Sequence, residues 1–197
     1  MEHDEGTLQI PTSLTIRGSL KVGLPMLLIP PTLLIIILIS GNFFLLDYIH
    51  ILSGLTWTGM DLILGLFFSN VMRGLSNEGR ARVAMRLTPT MLFFMPSITT
   101  VTTTAGVFLA IHDGLFSPVS PIIVVVLIIV TILTAIGLGV FLPNELRIYL
   151  ELIKTGQRDI GKVIRLTMLN LRISLFILVF QVMIIFLMAQ LATGIYI

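Results

Sequence analysis

The chain has 197 residues, of which 56% are hydrophobic and 11% charged, with a net charge of +2 and no cysteine. A soluble domain carries roughly a quarter charged residues, so this composition excludes an ordinary water-soluble enzyme and places the chain in a lipid bilayer. The missing cysteine excludes disulfides, thiolate metal sites and CxxC redox motifs, and the small positive charge follows membrane topology, so it gives no reason to expect a nucleic-acid partner.

The chain opens with the acidic, polar stretch MEHDEGTLQIPTS, and the first apolar run follows at 22–39. That run contains Pro30-Pro31 and has no A-x-A-type site after it, so it reads as a retained helix, kinked at the prolines, and not as a cleaved signal peptide. Four further runs lie at about 43–69, 88–111, 121–142 and 169–193. A spanning helix needs about 20 mostly apolar residues, and all five runs meet that length. None shows the strand-period alternation of a membrane barrel. The expected fold is therefore all-α: a polytopic bundle of five transmembrane helices, in which a four-helix core carries one added N-terminal helix. One domain covers 1–197, with no repeat and no low-complexity tract, as a multi-pass protein of the cell membrane.

The connections alternate in character. The second and third runs are joined by RGLSNEGRARVAMR, in which Ser76, Asn77, Glu78 and Gly79 mark a turn before a basic segment. The third and fourth are joined by HDGLFSPVSP, which sets Pro121 in the first turn of the next helix. After Pro143, NELRIYLELIKTGQRDIGKVIRL places Leu146, Tyr149, Leu150 and Ile153 at helical spacing, which predicts a helical extension outside the membrane ending near Gly156. All twelve Lys and Arg residues fall on one set of alternate ends: Arg17 and Lys21, then 73–86, then 147–172. Residues 40–42, 112–120 and 194–197 contain none. The positive-inside rule therefore predicts a cytoplasmic N-terminus and an external C-terminus.

HILSGLTWTGMD, residues 50–61, carries the polar side chains of the second run. At 100° per residue, Trp57 falls about 20° behind His50 and Asp61 about 20° ahead of it, so the three share one narrow face. A histidine inside a span faces the bundle and needs a partner. His112 stands at the external end of the third run, and a two-histidine haem site between antiparallel helices is one arrangement open to the pair. In the other, His50 bonds a backbone carbonyl or a threonine while His112 caps its helix in water. Met188 and Gln190 reach similar depth on the fifth run, which makes His/Met ligation a second route to haem iron. A dedicated copper site is disfavoured, because the chain has no cysteine, three histidines and no Met-x-x-Met cluster. Asp61 is an acidic residue near mid-span, a type that is rare there and often functional. The run SITTVTTTAG on the neighbouring helix offers it hydroxyls, though a threonine in a bilayer often bonds its own helix's carbonyl four residues back. Trp57, beside Gly54, can line a flat ligand or fill the bundle core.

These residues resemble the superfamily of small membrane proteins that includes HemJ-type protoporphyrinogen oxidases and CopD-type copper-resistance proteins. His50, Trp57 and Gly59 match its H-I-x-x-x-x-x-W-x-x-G pattern approximately, the glycine here following the tryptophan by two places where the pattern has three. RLTPTMLFFMPSITTVTTTAGVFLA looks like the family's second core helix, through Arg86, Leu87, Pro96, Thr100, Val101 and Gly106. The likeness covers about 43–111 by motif and 121–193 by topology. It implies a four-helix bundle around haem b, with His50 as an axial ligand. The third core helix, 121–142, lacks the His and Lys that HemJ-like proteins carry there, so porphyrin oxidation is not carried over and enzymatic activity is left open.

Two functions are thus expected in competition. In the first, haem b near the external face relays electrons to or from a quinone or a partner subunit. His50 and His112, or His50 and Met188, hold the iron, Trp57 packs on the porphyrin, and Asp61 anchors a polar group or proton path. In the second, the chain is a cofactor-free accessory subunit of a larger membrane complex, since it has no nucleotide loop, catalytic triad or metal cluster. An ion or proton transporter built on Asp61 is a third and weaker reading. The topology is tested directly, against a cysteine-free background. With an impermeant thiol reagent outside intact cells, Ser117→Cys is expected to label and Ser76→Cys to stay unlabelled; labelling of Ser76→Cys alone would invert the arrangement.

Overall fold

The computed structural model describes residues 16–116, 120–154 and 158–193, and among these there is helix and no β-strand. Five helices are long and apolar enough to cross a membrane: α1 (Ile16–Ser40), α2 (Phe43–Gly74), α3 (Asn77–His112), α4 (Pro121–Leu152) and α5 (Ile160–Thr193). The fold defines a polytopic membrane protein. Its helix exteriors display side chains such as Ile36, Ile39, Phe44 and Phe176, which suits contact with lipid.

All five helices run beyond the apolar runs at their basic ends, α3, α4 and α5 by more than two turns. What reads as a long polar loop between the second and third runs is a two-residue turn, Leu75–Ser76. Ser76 caps α3 by accepting from the Gly79 amide at 3.2 Å, the usual N-cap geometry. Arg80 then reaches back across the turn. Its Nε donates to the Met72 carbonyl (2.8 Å) and its Nη2 to the Arg73 carbonyl (3.0 Å), so the open end of α2 is satisfied. The charged segment after Pro143 is likewise no free extension. Ile148 and Leu152 of α4 pack against Ala81, Ala84 and Met85 of α3 and Val163 of α5, all fully buried. Glu151 ties the next corner, accepting from Lys154 Nζ at 2.7 Å and from the Asp159 amide at 3.0 Å. The helical extension expected to end near Gly156 stops at Leu152, and residues 1–15, 117–119, 155–157 and 194–197 lie outside the described residues.

α1 is continuous through Pro25, Pro30 and Pro31. A proline inside a helix frees the carbonyl four residues earlier, and for Pro31 that is Leu27. Ser97 Oγ of α3 donates to the Leu27 carbonyl at 3.1 Å, so the polar group that the proline releases is satisfied within the bundle, as a bilayer requires.

α2 is the middle of the bundle, packed on α3 along one side and on α5 along the other, while α1 covers the outside of α3 and leans on α2. Leu34 and Ile37 of α1, Leu46 and Ile49 of α2, and Val101 and Ala105 of α3 form one buried cluster. α4 packs on α5 along its length but joins α3 chiefly through Leu142–Leu152. Above that junction α3 and α4 diverge. The four-helix core α2–α5 therefore has a cleft between α3 and α4, floored by α2 and α5. Both helices that contain a π-helical turn have it at mid-span: Ile63–Phe68 in α2 and Gly137–Phe141 in α4. The first of these brings Gly65 against α5, where a Cβ would stand 2.8 Å from the Leu175 amide nitrogen.

Because Leu175 backbone cannot give way as a side chain would, Gly65→Ala is expected to destabilise the bundle by about 1–3 kcal/mol, the usual cost of overpacking. Gly137→Ala serves as the control, since a Cβ there meets nothing within 4 Å. Thermal unfolding of the two variants in the same detergent checks the contrast.

Candidate functional site

Two cavities occupy the cleft. The upper one, about 250 Å³, is walled by His50, Gly54, Gly106, Val126, Gln181 and Met188. The lower one, about 260 Å³, is walled by Asp61, Pro96, Thr99, Thr100, Gly137 and Glu145. Trp57, Thr103 and Leu133 belong to both, so the two spaces adjoin. The shared face of His50, Trp57 and Asp61 on α2 thus runs the length of the cleft.

His50 is half-buried, and its Nδ1 lies 2.9 Å from the Thr102 carbonyl oxygen of α3. A carbonyl only accepts, so Nδ1 carries the proton and Nε2 of the neutral ring keeps its lone pair. Among the described residues no hydrogen bond reaches Nε2. The Cε1 edge of the imidazole lies against Gly106, where a Cβ would come within 2.7 Å of His50 Cε1. Only glycine leaves room for the ring at that point.

His112 is elsewhere. It is exposed at the end of α3, stacked on Phe43 with ring centroids 3.5 Å apart and paired with Asp113 at 3.0 Å. It is not in the wall of either cavity, whereas Met188 shares the upper one with His50. Of the two side chains considered for a second axial position, the structure brings Met188 and not His112 into the same space as His50.

Asp61 is fully buried, and its partner is not the threonine run. Gln181 Nε2 of α5 donates to Asp61 Oδ2 at 2.9 Å. The hydroxyls of Thr99, Thr100 and Thr102 donate instead to the carbonyls of Met95, Pro96 and Ile98, at 2.8, 2.7 and 2.9 Å. Asp61 Oδ1 and Gln181 Oε1 are buried with no partner among the described residues, as is Ser174 Oγ. Gln181 stands in the upper cavity wall and Asp61 in the lower one, so their hydrogen bond joins the two.

The lower cavity also holds a carboxylate that the sequence reading placed outside the membrane. Glu145 is buried, accepts from Asn170 Nδ2 at 2.8 Å through Oε1, and leaves Oε2 without a partner. Asn170 Oδ1 in turn accepts from Asn144 Nδ2 at 3.0 Å. The signal for this network lies in the chain itself. Asn170, Ser174, Ile177 and Gln181 recur at spacings of four, three and four on α5, one stripe of a helix, and all four are buried. Glu145, Ile148, Tyr149 and Leu152 do the same on α4.

The lining chemistry suits two different groups. The upper cavity offers one imidazole with a fixed tautomer and one thioether in a mostly apolar wall, which fits a haem iron site: metal-bound histidines characteristically donate their other ring N–H to a carbonyl or carboxylate. Among the described residues no three His, Asp or Glu side chains cluster as they would around a bare metal ion. No protein-family model matches the chain, and neither the curated proteins nor the solved structures compared with it give a match.

Removing Asn170 would leave Glu145 Oε1 buried and unpaired, so Asn170→Leu is expected to cost about 1–3 kcal/mol. Adding Glu145→Leu to that variant is expected to recover part of the loss, because both ends of the interaction are then apolar. Thermal unfolding of the single and double variants measures the difference.

Proposed function

We propose that this membrane protein is a b-type haem-binding electron-transfer component, with the haem held in the upper cavity between α3 and α4. The observation that carries the reading is the His50 ring, bonded through Nδ1 to the Thr102 carbonyl and lining a cavity that Met188 also lines. His50 and Met188, which line the same cavity, would hold the haem iron. A bound haem supplies one-electron redox chemistry, exchanged with a quinone or a partner subunit.

The chain's own residues do the holding. Gly106 leaves the room in which the His50 ring sits against α3, and Trp57, wall to both cavities, closes the lower end of the space. Gln181, held by Asp61, sets a polar amide at that end. With the cytoplasmic N-terminus that the charge distribution predicts, His50 sits toward the external face and the cleft opens sideways to the lipid of the cell membrane, where a quinone resides.

Optical spectra of the purified protein from haem-replete cells, oxidised and dithionite-reduced, test the reading. A Soret band is expected, lost in His50→Ala, shifted in Met188→Leu and unchanged in His112→Ala. A colourless wild type would overturn it, and so would full haem content in His50→Ala. A colourless protein that purifies with a stoichiometric membrane partner would point to the accessory-subunit function instead.

A further inference from the structure

The lower cavity has walls unlike the upper one. Asp61 and Glu145 are at most 6% exposed, and each has one carboxylate oxygen with no hydrogen-bond partner among the described residues. The groups that face them are neutral: Gln181, which donates to Asp61, with Ser174 and Trp57 beside it, and Asn170, which donates to Glu145, with Thr88 beside it. Among the described residues no Lys or Arg stands in the cavity wall. Thr99 and Thr100 use their protons on their own helix, so toward the cavity they offer lone pairs. The polar wall groups mostly accept hydrogen bonds, and the rest of the wall, including Leu92, Leu138 and Phe141, is apolar.

We propose that this cavity binds a lipophilic organic ammonium ion: an apolar body entering from the bilayer between α3 and α4, with an N–H-bearing cationic head set between Asp61 and Glu145. Charge complementarity selects the head, since two carboxylates in a low-dielectric site without a counter-charge favour a positive donor. Trp57, in the same wall, adds a ring face that a cation favours. A dehydrated divalent metal is a poor fit, because it takes about six or more oxygen ligands and the two carboxylates stand on different helices with no third acid or histidine grouped with them among the described residues.

The test uses the full chain in lipid nanodiscs and equilibrium dialysis of radiolabelled octylammonium, with protein-free nanodiscs as background. Saturable binding is expected, with no displacement by octanol or octanoate of equal chain length. Asp61→Asn and Glu145→Gln are each expected to weaken it about tenfold or more, as loss of a desolvated charge-assisted contact does. Gly137→Leu, which places a side chain in the cavity wall where a Cβ meets nothing within 4 Å, is expected to abolish binding while leaving the melting temperature near that of the wild type. It keeps the test decisive should Asp61→Asn fail to fold. Absence of saturable binding to the wild type, equal displacement by octanol, or unchanged affinity in Glu145→Gln and Gly137→Leu would overturn the proposal. Haem is read in the same samples from the Soret band, so failure of one site is not mistaken for failure of the other.

Discussion

The hydrogen bond from Gln181 to Asp61, 2.9 Å long and buried between α2 and α5, is made where no water competes for either group. In hydrocarbon an unpaired polar side chain costs several kcal/mol, so the pair sets the register of α5 on α2. Gly65 enforces the same register from the apolar side, by letting α2 come against the Leu175 backbone. With that contact fixed, the stripe Asn170, Ser174, Ile177, Gln181 faces inward, and Asn170 lies where it meets Glu145 of α4. The position of α4 is thus tied to α2 through α5, without extensive direct contact between α2 and α4.

The cleft follows from how α4 is held. Its lower half is clamped against α3 by Ile148 and Leu152 on Ala81 and Ala84, small residues that allow close approach. Its upper half packs on α5 through Ile129, Leu133 and Ile177. α3 meanwhile is drawn the other way, toward α1 and α2, by the cluster around Val101 and Ala105 and by the Ser97 bond to α1. The helix that looked like an addition to a four-helix core therefore helps to hold the core open. His50 spans the seam between α2 and α3, and its bond to the Thr102 carbonyl orients the imidazole without using any side chain of the cavity.

The five spans were legible in the sequence because lipid imposes an uninterrupted apolar run on each, whatever its neighbours. Their ends free of Lys and Arg were legible too, to within a residue, and their basic ends were not. Where a helix leaves the hydrocarbon, its continuation depends on what it packs against, and hydropathy does not record that Ile148 meets Ala84. Glu145 was unreadable for a related reason: beside Arg147 and Glu151 it has the composition of a solvated surface, and only the register Glu145, Ile148, Tyr149, Leu152 shows that it rides on the buried face. The face shared by His50, Trp57 and Asp61 was legible from helical geometry alone. The partner of His50 was not, because a backbone carbonyl occurs at every residue and leaves no mark in the sequence; Gly106 is the trace it does leave. The threonine run suggested a partner for Asp61 and supplied none, since its bonded hydroxyls are used within α3.

Trp57 gives the arrangement a consequence that neither cavity has alone. Its side chain is wall to both, and Gln181 of the upper wall is bonded to Asp61 of the lower. A ligand that moves the indole or draws on Asp61 changes the environment of the space above it. By linkage, a group bound above must change the affinity below by the same factor. The size of that coupling depends on whether Trp57 has two discrete positions in a packed interior, because close-packed side chains switch between arrangements more readily than they deform. Thr103 and Leu133, the other shared residues, sit on the two helices that bound the cleft. The two spaces therefore share both walls of the cleft, which closes at the junction of Ile148 and Leu152 with α3.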